Sequence, residues 1–383
     1  MNWLISFSFL VSLLYLLRLL QYRKDWDRLP LLESASGAAG AGLSVVVAFR
    51  NEVLQLPALL NALASQKYPA NLWEVILVDD HSDDGSSDLV RAFIPKHANF
   101  RLLSCTEGEG KKAALHTGIG QVSFPFVVTT DADCVMGPMW LSAMGAAFTG
   151  DTRKIVMGPV VEEESEGFIT GFSRLEFLSL VASGAASAAG GRPIFCNGAN
   201  LAYPVALFRS FTDPMGMDLQ SGDDTLFMLR AKHRGVPVRF LKDRAALVRT
   251  RASEGWGSFF SRRVRWAFKP SMYADGDVLL TALLVTLQAL ILLVCMAATL
   301  TGRSVWLFPS LILVKYVADT IFLKGYAAFC GIRLPWLKML AFEAIYPAYI
   351  VWVLLLGVAG RNRWKGRVNR KGLLFNSRVR KEI

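Results

Sequence analysis

Cysteine is scarce in this chain of 383 residues, and the five present (Cys105, Cys134, Cys196, Cys295, Cys330) show neither paired nor C-x-x-C spacing. That excludes a disulfide framework and a cysteine-built zinc site, and it fits a reduced compartment. No internal repeat is present, which excludes a stacked-repeat architecture. A cleavage site is missing as well. The apolar run 3–20 is followed by QYRKDWDRLP, where a signal peptide would carry small residues. The run therefore reads as a retained membrane anchor, with Arg18 near its end able to snorkel.

Apolar side chains are in excess. The hydrophobic fraction of 53% exceeds the range of soluble proteins. The length leaves room for one soluble domain of about 200–250 residues beside a membrane part. Residues 278–300 form a second span, 304–323 carry Lys315 and Asp319, and 338–360 carry Glu343 and Pro347. Charges at such depths face protein or a cavity. The net charge of +11 concentrates in the tail 361–383, which holds nine Lys/Arg against Glu382. Next to a membrane segment this reads as a positive-inside flank and not as a nucleic-acid-binding run. Arg18, Arg23, Lys24 and Arg28 likewise put the end of the first span in the cytosol. Two inside flanks require an even number of crossings between them. The two charges of 304–323 mark it as the re-entrant or interfacial segment of the three.

After a Ser/Ala/Gly linker (34–42), LSVVVAF is a continuous apolar run of the kind buried on both faces of a parallel sheet. Helical spacing in ALLNALASQ follows, then the strands WEVILVDD, FRLLSC and FPFVVTTDAD, with helices expected over 88–96 and KKAALHTGIGQ. Alternating strands and helices predict a doubly wound α/β sheet that binds ligands at the carboxyl ends of its strands. The run Glu162-Glu163-Glu164 reads as a solvated loop.

Asp79-Asp80 and Asp131-Ala132-Asp133 fall at such strand ends. The second set can present hard oxygen ligands to Mg²⁺ or Mn²⁺ bound to a substrate phosphate, or else close a turn by capping backbone N–H groups. The triplets Asp25-Trp26-Asp27 and Asp275-Gly276-Asp277 lack a preceding strand and read as interfacial charges. A buried carboxylate at Asp79 or Asp80 needs a partner, such as a nucleobase or ribose. In Gly222-Asp223-Asp224, either aspartate could cap the helix that follows or serve as a general base. On a helix over 256–269, Trp256, Phe259, Phe260, Val264 and Ala267 share an apolar side opposite Arg262, Arg265 and Lys269, with Trp266 near Arg262. Such a helix suits a membrane surface, and its guanidinium groups suit a diphosphate.

As an ordered set these motifs resemble the family-2 glycosyltransferases, inverting enzymes with a GT-A fold. The membrane-bound subgroup that includes ceramide glucosyltransferases and bacterial lipid glycosyltransferases is the most similar. The resemblance covers about 45–270 and WKGR (364–367). It implies a nucleotide-sugar site at Ala48, Phe49, Glu52, Asp79, Asp80, Lys111 and Asp131. It also implies a metal at Asp131 and Asp133, an acceptor side at Asn197, Gly198, Asn200 and Asp223, and catalysis by Asp224, Arg262, Arg265 and Trp266. His116 stands where the family usually has Asn, and Gly-Asp-Asp replaces the commoner Glu-Asp, which leaves Asp223 against Asp224 open.

The expected organisation is an anchor (1–21), a linker (22–42), a GT-A domain (43–250), an interface helix (251–276), a membrane region (277–360) and a basic cytosolic tail (361–383). The implied reaction moves a sugar from a nucleotide diphosphate, UDP being commonest, to a lipid acceptor at the cytosolic face of the cytoplasmic membrane. The tether at both ends favours a lipid over a soluble acceptor. Transfer to a polyprenyl phosphate and a non-catalytic nucleotide-sugar-binding protein are the alternatives.

Overall fold

In the computed structural model the described residues are 2–33, 40–164, 166–217, 222–253, 255–267, 275–358, 362–364 and 367–369. The side chains of Asp223, Arg265 and Trp266, and most of the tail 361–383, lie outside them. The chain divides into an α/β unit (29–164 and 195–252) and a helical unit (1–28, 165–194 and 253–383). Residues 165–194, which the sequence pattern leaves inside the 43–250 segment, thus group with the helices.

The α/β unit contains strands β1 (Leu43–Phe49), β2 (Trp73–Asp79), β3 (Phe100–Ser104), β4 (Phe126–Thr129), β5 (Val135–Met136), β6 (Ile155–Met157), β7 (Val160–Glu162), β8 (Leu201–Pro204), β9 (Val238–Phe240) and β10 (Val248–Thr250). Seven form one sheet in the order β3-β2-β1-β4-β8-β6-β9. β1 pairs in parallel with β2 and β4, whereas β8 runs antiparallel to β4 and β6, so the sheet is mixed. The unbroken apolar runs of β1 and β2 are buried, as expected for strands covered on both faces. Helix Lys111–Gly120 lies close against them because Gly118 has no side chain. A Cβ there would come within 2.6 Å of Val46 and 2.9 Å of Val78. That approach sets the height of Lys111 at the helix start.

A second sheet, β5-β10-β7, carries a correction. Glu162 is the last residue of β7 and is buried, not part of a solvated loop, because its partner in register is Thr250 of β10. Glu163 and Glu164 alone are exposed.

Among the described residues, Ile5–Arg28, Gly276–Leu300 and Trp336–Leu355 are long and apolar enough to cross a membrane. Leu307–Phe329 is a continuous helix of 23 residues whose Lys315, Asp319 and Lys324 lower its hydropathy. Two of those charges are buried together. The Lys315 ammonium lies 2.5 Å from Asp319 and pairs with Glu343, and the Tyr15 hydroxyl donates to Asp319 at 2.7 Å. Of the four aspartates read as interfacial charges, Asp25 and Asp275 have structural roles. Asp25 is buried and accepts from Gln21, and Asp275 caps the helix Gly276–Leu300 by accepting from the N–H groups of Asp277 and Val278.

Removing one member of a buried pair leaves the other uncompensated. Lys315→Met, which strands two carboxylates, should therefore cost about 3–5 kcal/mol. A denaturant midpoint in detergent measures this, and an unchanged midpoint would mean that Asp319 and Glu343 are not held by the ammonium.

Candidate active site

The loops that leave the carboxyl ends of β1 and β2 are laced together. Asn51, in a left-handed conformation (φ 53°), exchanges side-chain and backbone hydrogen bonds with Asp83, and its N–H reaches Ser82 Oγ at 3.1 Å. The Glu52 N–H donates to Ser86 Oγ and the Val53 N–H to Asp84 Oδ2. Burial opposes the charged form of Asp84, but hydrogen bonds from Ser86 and Val53 outweigh it and hold the carboxyl below its usual range. Ala48 and Glu52 are half-buried along this seam and Phe49 is buried.

The aspartates that close β2 differ. Asp79 is half-buried and both its oxygens are engaged, by the Ser82 N–H and the Ser87 hydroxyl. Asp80 is 1% exposed. Its Oδ1 accepts the Gly110 N–H at 2.9 Å, while Oδ2 is buried with the Arg50 guanidinium 3.9 Å away and no hydrogen bond among the described residues. By holding Gly110, Asp80 fixes the residue before Lys111, whose ammonium lies 2.5 Å from Asp131. Lys112 points elsewhere, tying down the Met215 and Gly216 carbonyls. His81 is exposed at φ 59°, a loop residue as expected.

Asp131 and Asp133 follow β4 and are half-buried. Asp133 Oδ2 accepts from the hydroxyl of Thr250, the β10 residue in register with Glu162. Burial pushes the neighbouring Cys134 thiol well above its ordinary value, with Asp133 and Asp131 adding to the effect. Two residues before Asp131, Thr129 donates to the Gly198 carbonyl at 2.7 Å, and the Gly198 N–H donates to Asp224 Oδ2 at 2.8 Å. One peptide residue thus links the strand bearing the aspartate triplet to the candidate base. Asp224 stands in the first turn of helix Asp223–His233 and is half-buried. Gly222, not an aspartate, is the N-cap.

Asn200 is a correction. It is buried, its amide donates to the carbonyls of Pro159 and Ala246, and its oxygen accepts from the Trp140 indole. Both amide hydrogens are spent and the residue is 1% exposed, which keeps it from an acceptor. Asn197 is half-buried and caps the turn Gly198–Asn200 by accepting from Ala199. Asn200→Ala, which leaves three buried polar groups unpaired, should cost about 3 kcal/mol of stability. Unaltered thermal unfolding with a raised KM for acceptor would restore the acceptor-side assignment.

Residues 44–208 match the family described as glycosyl transferase family 2. The chain carries a family 2 glycosyl transferase domain. Glycosyltransferase AglE of Haloferax volcanii is 34% identical over 118 residues, 31% of this chain and 39% of that protein. An undecaprenyl-phosphate 4-deoxy-4-formamido-L-arabinose transferase of Serratia proteamaculans is 37% identical over 93 residues, 24% of this chain and 28% of the relative. The chain therefore spans well under half the length of these two relatives. A mannosyltransferase of Pyrobaculum calidifontis, solved with GDP-Man and Mn²⁺, aligns over 92% of this chain and 96% of its own. Its TM-score of 0.56 at 19% identity shows a shared GT-A fold.

The matched family 2 segment includes Asp79, Asp80, Lys111, Asp131, Asp133 and Gly198, while Asp224 lies beyond it. Among the described residues no three His, Cys, Asp or Glu converge as a metal cage. Two carboxylates at one strand end still fit Mg²⁺ or Mn²⁺, which bind through one or two carboxylates and take their remaining oxygens from phosphates and water.

Arg262 lies on helix Gly255–Ala267 of the helical unit, where it is half-buried. The expected division of that helix into faces needs amendment. Phe259 is fully buried and Phe260 half-buried, but Trp256 is 50% exposed, stacked on Phe260, and Arg263 is buried. Arg263 falls about 40° from Phe259 at 100° per residue, inside the apolar arc. That spacing was the available signal for a buried arginine.

Proposed function

We propose that this protein transfers a sugar from a nucleotide diphosphate, most simply UDP, to a lipid acceptor at the cytosolic face of the membrane, with inversion. The observation that carries the reading is the relay Thr129–Gly198–Asp224, since it ties the phosphate end of the site to a carboxylate able to act as base. Asp80 Oδ2, buried with the Arg50 guanidinium 3.9 Å away and no hydrogen bond among the described residues, would accept an N–H donor of the nucleoside.

Asp131 and Asp133 would hold Mg²⁺ or Mn²⁺, which when bound neutralises charge on the diphosphate. Lys111, paired with Asp131, would meet the same phosphates. Asp224 takes the proton of the acceptor hydroxyl as its oxygen bonds to the anomeric carbon, and the carbon–oxygen bond to the diphosphate breaks on the opposite face. Arg262 and Arg265 receive the charge on the departing diphosphate, and Trp266 packs beside sugar or acceptor. Asp223 lines the acceptor side. The three apolar helices support a membrane-borne acceptor, and the Lys/Arg flanks support a cytosolic site.

Transfer to a polyprenyl phosphate is a second reading, favoured by the undecaprenyl-phosphate transferase among the relatives. Membranes containing the protein, incubated with a panel of radiolabelled nucleotide sugars with and without chelator, test the function. Divalent-dependent label in the lipid extract is the expected result. No lipid label from any donor would sink it.

A further inference from the structure

Arg263 stands within the Arg262–Trp266 motif, yet it is 2% exposed. Its guanidinium pairs with Glu176 of helix Phe168–Ala189, donates to the Ser173 carbonyl at 3.3 Å, and lies 5.0 Å from the Phe259 ring centre. Glu176 Oε1 also accepts the Tyr349 hydroxyl at 3.1 Å, so residues from three helices meet on one carboxylate. The surroundings are apolar: Phe172, Phe259, Phe342, Tyr349 and Val353 form one buried cluster. A buried ion pair gives little stability over an apolar replacement of the same volume, so stability alone does not account for it. What it supplies is direction. Nη2 of Arg263 meets Glu176 Oε2 and the Ser173 carbonyl together, and such directional charged contacts fix distance and rotation, which an apolar contact does not.

We propose that Arg263 is a positioning residue, and that the Arg263–Glu176–Tyr349 set fixes the rotation of the motif helix so that Arg262 and Arg265 are presented in one orientation. At 100° per residue, Arg262 and Arg265 lie about 60° apart, turned away from Arg263 by about 100° and 160°. Pinning Arg263 inward therefore sets the direction of both, Arg262 at about a right angle to it and Arg265 on nearly the opposite side. The proposal deepens the function given above and rests on the role assigned there to Arg262 and Arg265.

The test is a charge exchange in the full chain in detergent: Glu176→Arg, Arg263→Glu and the double variant, with kcat and donor KM measured on whichever nucleotide sugar labels lipid. Each single exchange should lower kcat roughly 10²-fold, the cost of a small misplacement of catalytic groups. Donor KM should move little, and the double variant should recover most of kcat. A recovered pair separates orientation from contact, because an arginine that touched substrate could not be rescued from position 176. A folded double variant no more active than the singles overturns the proposal. Where the exchanges do not fold, Tyr349→Phe and Glu176→Gln replace them. A kcat lowered several-fold at constant KM supports positioning, and an unchanged kcat overturns it. Wild-type protein that transfers nothing fails the functional reading instead, so the two failures are distinguishable.

Discussion

Replacing Asp224 by asparagine is expected to lower transfer roughly 10²–10⁴-fold, the usual loss when a positioned base is removed. Nucleotide binding should survive, because the residues that would seat the nucleoside and phosphates are held by other bonds. Asp80 is fixed by Gly110 and Lys111 by Asp131, and neither touches Asp224 among the described hydrogen bonds. Asparagine retains one oxygen able to accept the Gly198 N–H, so the relay to Thr129 persists while the Thr225 N–H at the helix start loses its side-chain acceptor. What disappears is the capacity to take a proton. The measurement is kcat with nucleotide affinity determined in parallel on the same preparation. Near-normal kcat would remove Asp224 from the mechanism. It would favour the polyprenyl-phosphate acceptor, whose nucleophilic oxygen is already anionic. Loss of both kcat and nucleotide binding would mean that Asp224 serves the fold, as a first-turn carboxylate tied to a loop can.

Much of the site was legible because it is local. Asp79-Asp80 and Asp131-Ala132-Asp133 stand at the ends of buried apolar strands, and strand ends in an open α/β sheet are where ligands gather. Sequence also marks which side chains carry charge, but not how each is consumed. Asn197 and Asn200 occupy one short motif, and only the packing of Trp140, Pro159 and Ala246 around Asn200 makes it a structural residue. Glu162 reads as solvated beside two other glutamates until β10 supplies a partner, Thr250, from a distant part of the chain. Lys111 and Lys112 are equivalent as letters. The helix turns one toward Asp131 and the other toward the 215–216 carbonyls. The relay through Gly198 was beyond reach for the same reason, since its bonds are made by backbone atoms that no side-chain pattern encodes. Arg263 is the opposite case: the helical period already placed it among the apolar residues, and its charge concealed the signal.

Asp133→Asn should lower transfer roughly 10²–10³-fold at fixed Mn²⁺ or Mg²⁺, comparable to losing one preorganised charge-stabilising group. Part of that activity should return as the cation concentration is raised. Two carboxylates at one strand end leave most of the coordination shell to phosphate and water, so losing one weakens cation binding steeply. Thr250 gives the internal comparison. Its hydroxyl orients Asp133 Oδ2 from β10, and Thr250→Val keeps the carboxylate while removing that bond. Such outer contacts typically change metal affinity about 10–100-fold. Thr250→Val should therefore shift the cation concentration for half-maximal activity and leave the saturated rate near wild type, whereas Asp133→Asn should alter both. A titration of activity against Mn²⁺ separates the two. If both variants follow the wild-type curve, the aspartates close a turn and the cation, if one is used, is held elsewhere. If Asp133→Asn is inactive at every concentration while Thr250→Val is unaffected, Asp133 is required but Thr250 does not orient it. The ordered response, Asp133 above Thr250 and both dependent on cation, is the one that ties the end of β4 to diphosphate binding.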